Sequence, residues 1–181
     1  MPSLPVRERM ELTRLAAELT LGGLRAEEAV RLGVALVADR VDGVVVVTLA
    51  SLPEDAKQLR APDVAHLFRE VLTDVALEPP TEWEAGWIEA AFIARAVIDQ
   101  RIAPADGAFS LWELWDVCGE PDDELTWMLQ LHDAWEQTPN SQRAPIEAEI
   151  RAYAPRIIAA ARQKILTDAY DLPLVEPSTE M

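Results

Sequence analysis

The chain of 181 residues has little cysteine or histidine. Its one cysteine, Cys118, excludes an intramolecular disulfide, and neither this cysteine nor the two histidines have the spacing of a zinc site. No glycine-rich loop follows a strand, and no serine has the sequence context of a hydrolase nucleophile. The motifs therefore assign no catalytic residue, no cofactor and no metal ligand.

Long hydrophobic runs are also missing. The longest uncharged apolar stretch covers residues 44–52, far below the ~20 residues that a helix needs to cross a bilayer. Charged residues at positions 7–9 are not followed by the apolar segment of a secretory signal. Together with the single cysteine, these features predict a soluble, cytoplasmic protein that does not enter a membrane.

Positive charge is scarce as well. The chain has 16 Lys and Arg residues against 32 Asp and Glu, a formal net charge of -16. Such a surface repels phosphate groups, so direct binding of nucleic acid or of an anionic membrane is not expected. The acidity either steers the protein toward a basic partner or serves solubility alone.

Hydrophobic residues recur at helical spacing along almost the whole chain, and turn signals separate the segments. We expect an all-α, single-domain bundle of about seven or eight helices over residues 1–171, with 172–181 as a flexible tail. The expected helices cover about 6–21, 25–40, a segment from Pro62, 81–100, 104–119, 122–136 and a segment from Pro145 that Pro155 kinks or breaks.

One segment has an ambiguous pattern. Four consecutive valines in 44–49 favour a short isolated strand, because β-branched residues lose side-chain freedom in a helix. A lone strand has no partner for its backbone groups unless it pairs across a dimer axis. We therefore expect a short buried helix, with the strand as the alternative.

Six tryptophans are the main candidates for partner binding. Most should lie in the core, and the pattern after Pro104 turns Phe109, Trp112 and Trp115 inward. Exposed tryptophans beside carboxylates would instead suit a basic partner, because tryptophan is favoured at interface hot spots. The residues assigned to such a surface are Trp83, Glu84, Trp87 and Trp112.

Glu89 and His132 define an alternative site. Glu89 has small and apolar helical neighbours, and burial would raise the pKa of its carboxyl toward that of a general acid, unless an internal ion pair holds it. His132 lies on the apolar side of its helix. A row containing His66 and Glu70, in contrast, has the pattern of a solvated helix face.

Three short segments carry a resemblance. Residues 98–108 read IDQRIAPADGA, followed by LWEL at 111–114 and DAWE at 133–136. The pattern resembles uncharacterised all-helical proteins of high-GC bacteria. The resemblance implies a helical fold and transfers no site, cofactor or activity.

The leading functional hypothesis is a non-enzymatic bacterial protein that binds a basic protein partner, as an immunity-type or antitoxin-type inhibitor or as an adaptor. The first alternative is a small-molecule or metal-binding protein, with or without enzymatic activity, that has a pocket near the 81–100 helix formed by Glu89 and His132. The second is a self-associating structural module that uses the valine segment. The oligomeric state stays open.

Overall fold

The structure is a computed structural model that describes residues 4–41, 43–53, 61–119 and 123–174. Over these ranges the chain forms nine α-helices and one short 3-10 turn, and it contains no strand. The all-α prediction is confirmed. None of the helices in these ranges is long and apolar enough to cross a membrane.

The chain divides into two compact units. The first comprises Met1–Ala85 and Thr167–Asp171, and the second comprises Gly86–Leu166 and Leu172–Met181. The single-domain expectation stays a prediction. The helices are α1 (Val6–Thr20), α2 (Ala26–Ala38), α3 (Val44–Ala50), α4 (Ala61–Asp74), α5 (Glu82–Ile98), α6 (Pro104–Glu113), α7 (Trp115–Cys118), α8 (Asp123–Gln137) and α9 (Ala144–Lys164).

Helices α1 to α4 surround the core of the first unit. Aliphatic residues at helical spacing fill this core, and Phe68 is fully buried among them. Gly33 brings α2 close to α3, because a Cβ at this position would lie 3.1 Å from the backbone nitrogen of Ala50. A residue larger than glycine would push the two helices apart.

Helix α3 resolves the ambiguity of the valine segment. Its backbone is helical, with Val46 and Leu49 buried in the core and Val44 85% exposed. Inside a helix the backbone groups bond to one another, which an unpaired strand cannot achieve. The strand alternative at 44–49 is wrong, and with it the pairing of strands across a dimer axis.

A network of ion pairs joins α1 to α2. Arg14, whose side chain is only 15% exposed, donates hydrogen bonds to Glu11 and Glu18 on its own helix and to Glu28 on α2. Arg25 pairs with Glu18 at 2.9 Å and with Glu28 at 2.7 Å. Burial alone would lower the pKa of Arg14, but hydrogen bonds to Glu11 and Glu28 and the charge of Glu18 raise it above its usual value.

Helix α5 begins with a capping box. The backbone N–H of Thr81 donates to Oε2 of Glu84 at 2.9 Å, and the N–H of Glu84 donates to Oγ1 of Thr81 at 3.2 Å. This reciprocal pair satisfies two backbone donors that the first turn of a helix leaves unbonded. It fixes the start of the helix that the sequence predicts over 81–100.

In the C-terminal region, the predicted break at Pro155 does not occur, whereas the kink and the flexible tail at 172–181 stay predictions. Helix α9 continues through Pro155 without a break, while Ala154 and Ile157 on either side are buried in the second unit. Burial of these neighbours offsets the backbone hydrogen bond that proline removes. The predicted tail begins with packed residues, since Leu172 is buried and its carbonyl accepts a hydrogen bond from Arg162 at 3.3 Å. Residues 175–181 of that tail lie outside the described ranges.

We predict that Arg14→Met destabilises the protein by about 3 kcal/mol, because it leaves the buried carboxylate of Glu18 and the half-buried carboxylate of Glu28 without this cation. The matched variant Glu11→Gln should cost less than about 1 kcal/mol, since Glu11 is the more exposed partner. Adding Glu18→Leu to Arg14→Met should recover part of the loss. Urea denaturation measures the free energy of unfolding of all three variants. Equal losses for Arg14→Met and Glu11→Gln would contradict the claim that the ion pairs of Arg14 stabilise the fold.

We predict that Tyr170 ionises late in an alkaline titration. Burial, then the charges of Glu84 and Glu78, raise the pKa of Tyr170 from 10.0 to about 12, and its hydroxyl donates to the Glu78 carbonyl at 3.1 Å. Because the folded pKa is the higher one, the stabilisation is present below pH 10 and is lost as the pH rises through about 12. Ultraviolet absorbance, compared with Tyr170→Phe, measures the midpoint; a midpoint near 10 would contradict the environment described.

Candidate functional site

Helices α6 and α8 of the second unit together expose a cluster of rings. The ring of Phe109 lies 5.6 Å from that of Trp112 and 5.3 Å from that of His132, centroid to centroid. Phe109 is 38% exposed, Trp112 is 37% exposed and His132 is half-buried. These distances are typical of packed aromatic pairs, so the rings support one another while part of each side chain stays exposed to solvent.

The orientation of α6 follows from one glycine. A Cβ at Gly107 would overlap with Cγ2 of Val97 on α5, so this side of α6 must face α5 at close range. Phe109, two residues on, lies about 200° further round the helix and therefore points away from α5. The prediction that Phe109, Trp112 and Trp115 turn inward is wrong, because all three are at least 36% exposed.

Carboxylates lie next to the imidazole of His132. One nitrogen of His132 and one carboxylate oxygen each of Asp133 and Glu136 lie within 4.8 Å of one another. We call Phe109, Trp112, His132, Asp133 and Glu136 the aromatic–acidic surface. It offers two open ring faces, an imidazole and two carboxylates, which are groups that bind cations.

The two carboxylates of this surface lie near the C-terminal end of α8, and no basic residue lies in its last turn. The C-terminal end of a helix carries a partial negative charge, so carboxylates here are unfavourable by several tenths of a kcal/mol each, on the order of 0.3–1. A bound cation would relieve this repulsion. Local electrostatic rules are most often broken where a site serves function rather than stability.

The end of α8 is nevertheless held firmly. The guanidinium of Arg143 lies 3.7 Å above the ring of Trp135, and the indole N–H of Trp135 donates to Oε1 of Glu147 on α9 at 3.0 Å. Arg143 also donates to the carbonyls of Trp135 and Thr138. These contacts fix the turn after α8 and with it the position of Glu136.

The sequence contains a signal for this surface that motif reasoning missed. From residue 102 to residue 142 there is no lysine or arginine, whereas nine residues are acidic. This interval includes all of α6, α7 and α8. The helices that carry the exposed rings therefore supply no positive charge of their own, and their negative potential is open to a positively charged partner.

The four residues assigned to partner binding differ in their surroundings. In the first unit, Trp83 is 40% exposed and Glu84 caps α5. In the second unit, Trp112 belongs to the aromatic–acidic surface, whereas Trp87 is only 1% exposed, with Nζ of Lys164 4.7 Å from its ring centroid. Trp87 is therefore a core residue, and its assignment to an exposed partner surface is wrong.

The structure places Glu89 and His132, the two residues of the alternative site, on different helices. Both side chains are half-buried, as their helical neighbours indicated. His132 packs against Phe109, so its ring belongs to the contact between α6 and α8. A shared pocket of Glu89 and His132 stays a prediction.

No protein-family model, curated protein or solved structure matches this chain. Functional inference therefore depends on the geometry of the described residues.

We predict unequal losses of stability when either of two tryptophans is replaced by alanine. Trp87→Ala should destabilise the protein by about 3–5 kcal/mol, because it opens a large cavity around a fully buried ring. Trp112→Ala should cost no more than about 2 kcal/mol, since this ring is partly in water and its main ring contact is Phe109. Urea denaturation compares them; a larger loss for Trp112→Ala would contradict its placement on the surface.

Proposed function

We propose that this protein binds a basic segment of another protein through the aromatic–acidic surface. The observation that carries the proposal is the exposed ring pair of Phe109 and Trp112, which the ring of His132 connects to the carboxylates of Asp133 and Glu136, on helices without lysine or arginine. Aromatic anchors dominate the energy of many protein interfaces, and a polar rim usually surrounds them.

Arginine is the residue best suited to this surface. Its planar guanidinium stacks on an aromatic face and at the same time donates paired hydrogen bonds to a carboxylate. Trp112 and Phe109 supply the faces, and Asp133 and Glu136 supply the acceptors. A lysine could make the ion pair but would lose the planar stacking.

The charge of the whole chain supports rapid capture of such a partner. A net charge of -16 attracts a basic protein over a Debye length, about 8 Å at physiological salt, and raises the association rate. Inhibition of a basic enzyme, in the manner of an immunity protein or antitoxin, is one concrete form of this function. An adaptor that gathers basic proteins is the other.

We predict that a fluorescent arginine-rich peptide binds the full chain more tightly than the same peptide with arginine replaced by glutamine. Trp112→Ala should weaken binding about 2- to 10-fold, the range of a cation–π contact, and Glu136→Gln should weaken it as well. Trp83→Ala and Glu82→Gln are matched controls, since they change an exposed tryptophan and an exposed carboxylate at the start of α5. Fluorescence anisotropy gives the dissociation constants.

Salt dependence supplies the second criterion for the peptide. The affinity should fall as ionic strength rises from about 0.01 M to about 0.15 M, because the Debye length shortens from about 30 Å to about 8 Å. An affinity that does not change with salt would overturn the proposal. So would a loss of affinity in the α5 control variants as large as that in Trp112→Ala and Glu136→Gln. A pull-down with the same variants as bait then identifies the natural partner as the protein that the Trp112→Ala bait fails to retain.

A further inference from the structure

We infer that His132, Asp133 and Glu136 form a binding site for a divalent transition-metal ion of the zinc type. Within the described ranges they are the one group of three or more histidine, cysteine or carboxylate side chains whose ligand atoms converge. The inference goes beyond the proposed function, because a metal ion is a different ligand from a basic polypeptide.

The geometry requires only small adjustments. The three ligand atoms lie within 4.8 Å of one another. Around a tetrahedral zinc ion, with bonds of about 2.0–2.2 Å, ligand atoms lie about 3.4 Å apart. Rotation of the exposed side chains of Asp133 and Glu136 can close this difference without moving the helix.

The residue order on α8 produces this convergence. His132 and Glu136 are four residues apart, so they lie one above the other on the same face of the helix. Asp133 is three residues before Glu136 and borders the same face. The packing of His132 against Phe109 limits the rotation of the imidazole, which lowers the entropy lost when a metal binds.

The donor set selects the class of metal. One imidazole nitrogen with two carboxylate oxygens suits zinc and its neighbours in the transition series. Magnesium and calcium prefer oxygen ligands throughout, so they should bind less well here. Three protein ligands leave a fourth tetrahedral position for water or for a group of another molecule.

The other histidine provides an internal control. Nε2 of His66 lies 3.3 Å from Oε1 of Glu70 on α4, with the same spacing of four residues. In the described ranges no third ligand atom converges with this pair. A comparison of the two histidines therefore separates a three-ligand site from the ordinary affinity of any exposed histidine beside a carboxylate.

Calorimetric titration of the full chain with Zn²⁺, and then with Mg²⁺, tests the inference. We expect one tight Zn²⁺ site per chain and much weaker binding of Mg²⁺. His132→Asn and Glu136→Gln should each weaken Zn²⁺ binding at least about tenfold. Replacing a residue that only hydrogen-bonds to a metal ligand already weakens metal binding about 10- to 100-fold, so loss of a ligand itself should cost no less. His66→Asn should leave this site unchanged. Glu136 is exposed, so its variant tests the site without endangering the fold.

Three results would overturn the site: no Zn²⁺ binding by the wild-type chain, unchanged affinity in Glu136→Gln, or loss of the tight site in His66→Asn. A Co²⁺ titration adds a spectroscopic readout, because a tetrahedral site of this kind gives visible absorption that must vanish in His132→Asn. No peptide is present in these titrations, so failure of the metal site is distinguishable from failure of peptide binding.

Discussion

The concentration of negative charge on α6 and α8 is the constraint on which the proposed binding depends. The rings of the aromatic–acidic surface pack against one another, and its two carboxylates lie near the C-terminal end of α8, where negative charge is unfavourable. Residues 102–142 contribute no lysine or arginine, and Arg143, just after α8, already contacts the ring and the carbonyl of Trp135. A further cation from outside, whether an arginine side chain or a metal ion, would reduce the remaining repulsion.

In the first unit, the clustered acidic residues are paired with arginines. Glu18 and Glu28 are also close together, but Arg14 and Arg25 lie between them and join α1 to α2. These carboxylates are paired with arginines inside the fold, so removal of one cation should lower the free energy of unfolding. The same chain thus contains one acidic cluster that is paired with arginines inside the fold and another, at His132, Asp133 and Glu136, whose two carboxylates are exposed.

Local sequence signals predicted the helices well and the surface poorly. The capping box at Thr81 and the stop after α1 depend on residues close in sequence, so both were readable without a structure. The exposure of Phe109 and Trp112 depends on which side of α6 meets α5, and Gly107 decides that through contact with Val97. Periodicity cannot show which partner a helix face meets. The gap in positive charge was visible in the sequence, but its meaning required the packing of α6 on α8.

The most direct test of the central claim follows the indole N–H resonances of the six tryptophans by nitrogen-15 NMR during titration with an arginine-rich peptide. The account predicts that the resonance of Trp112 shifts progressively, while those of buried Trp87 and of Trp83 at the start of α5 stay in place. Selective shifts of Trp83 with Trp112 unchanged, or no shift of any indole, would contradict the assignment of the aromatic–acidic surface as the binding site.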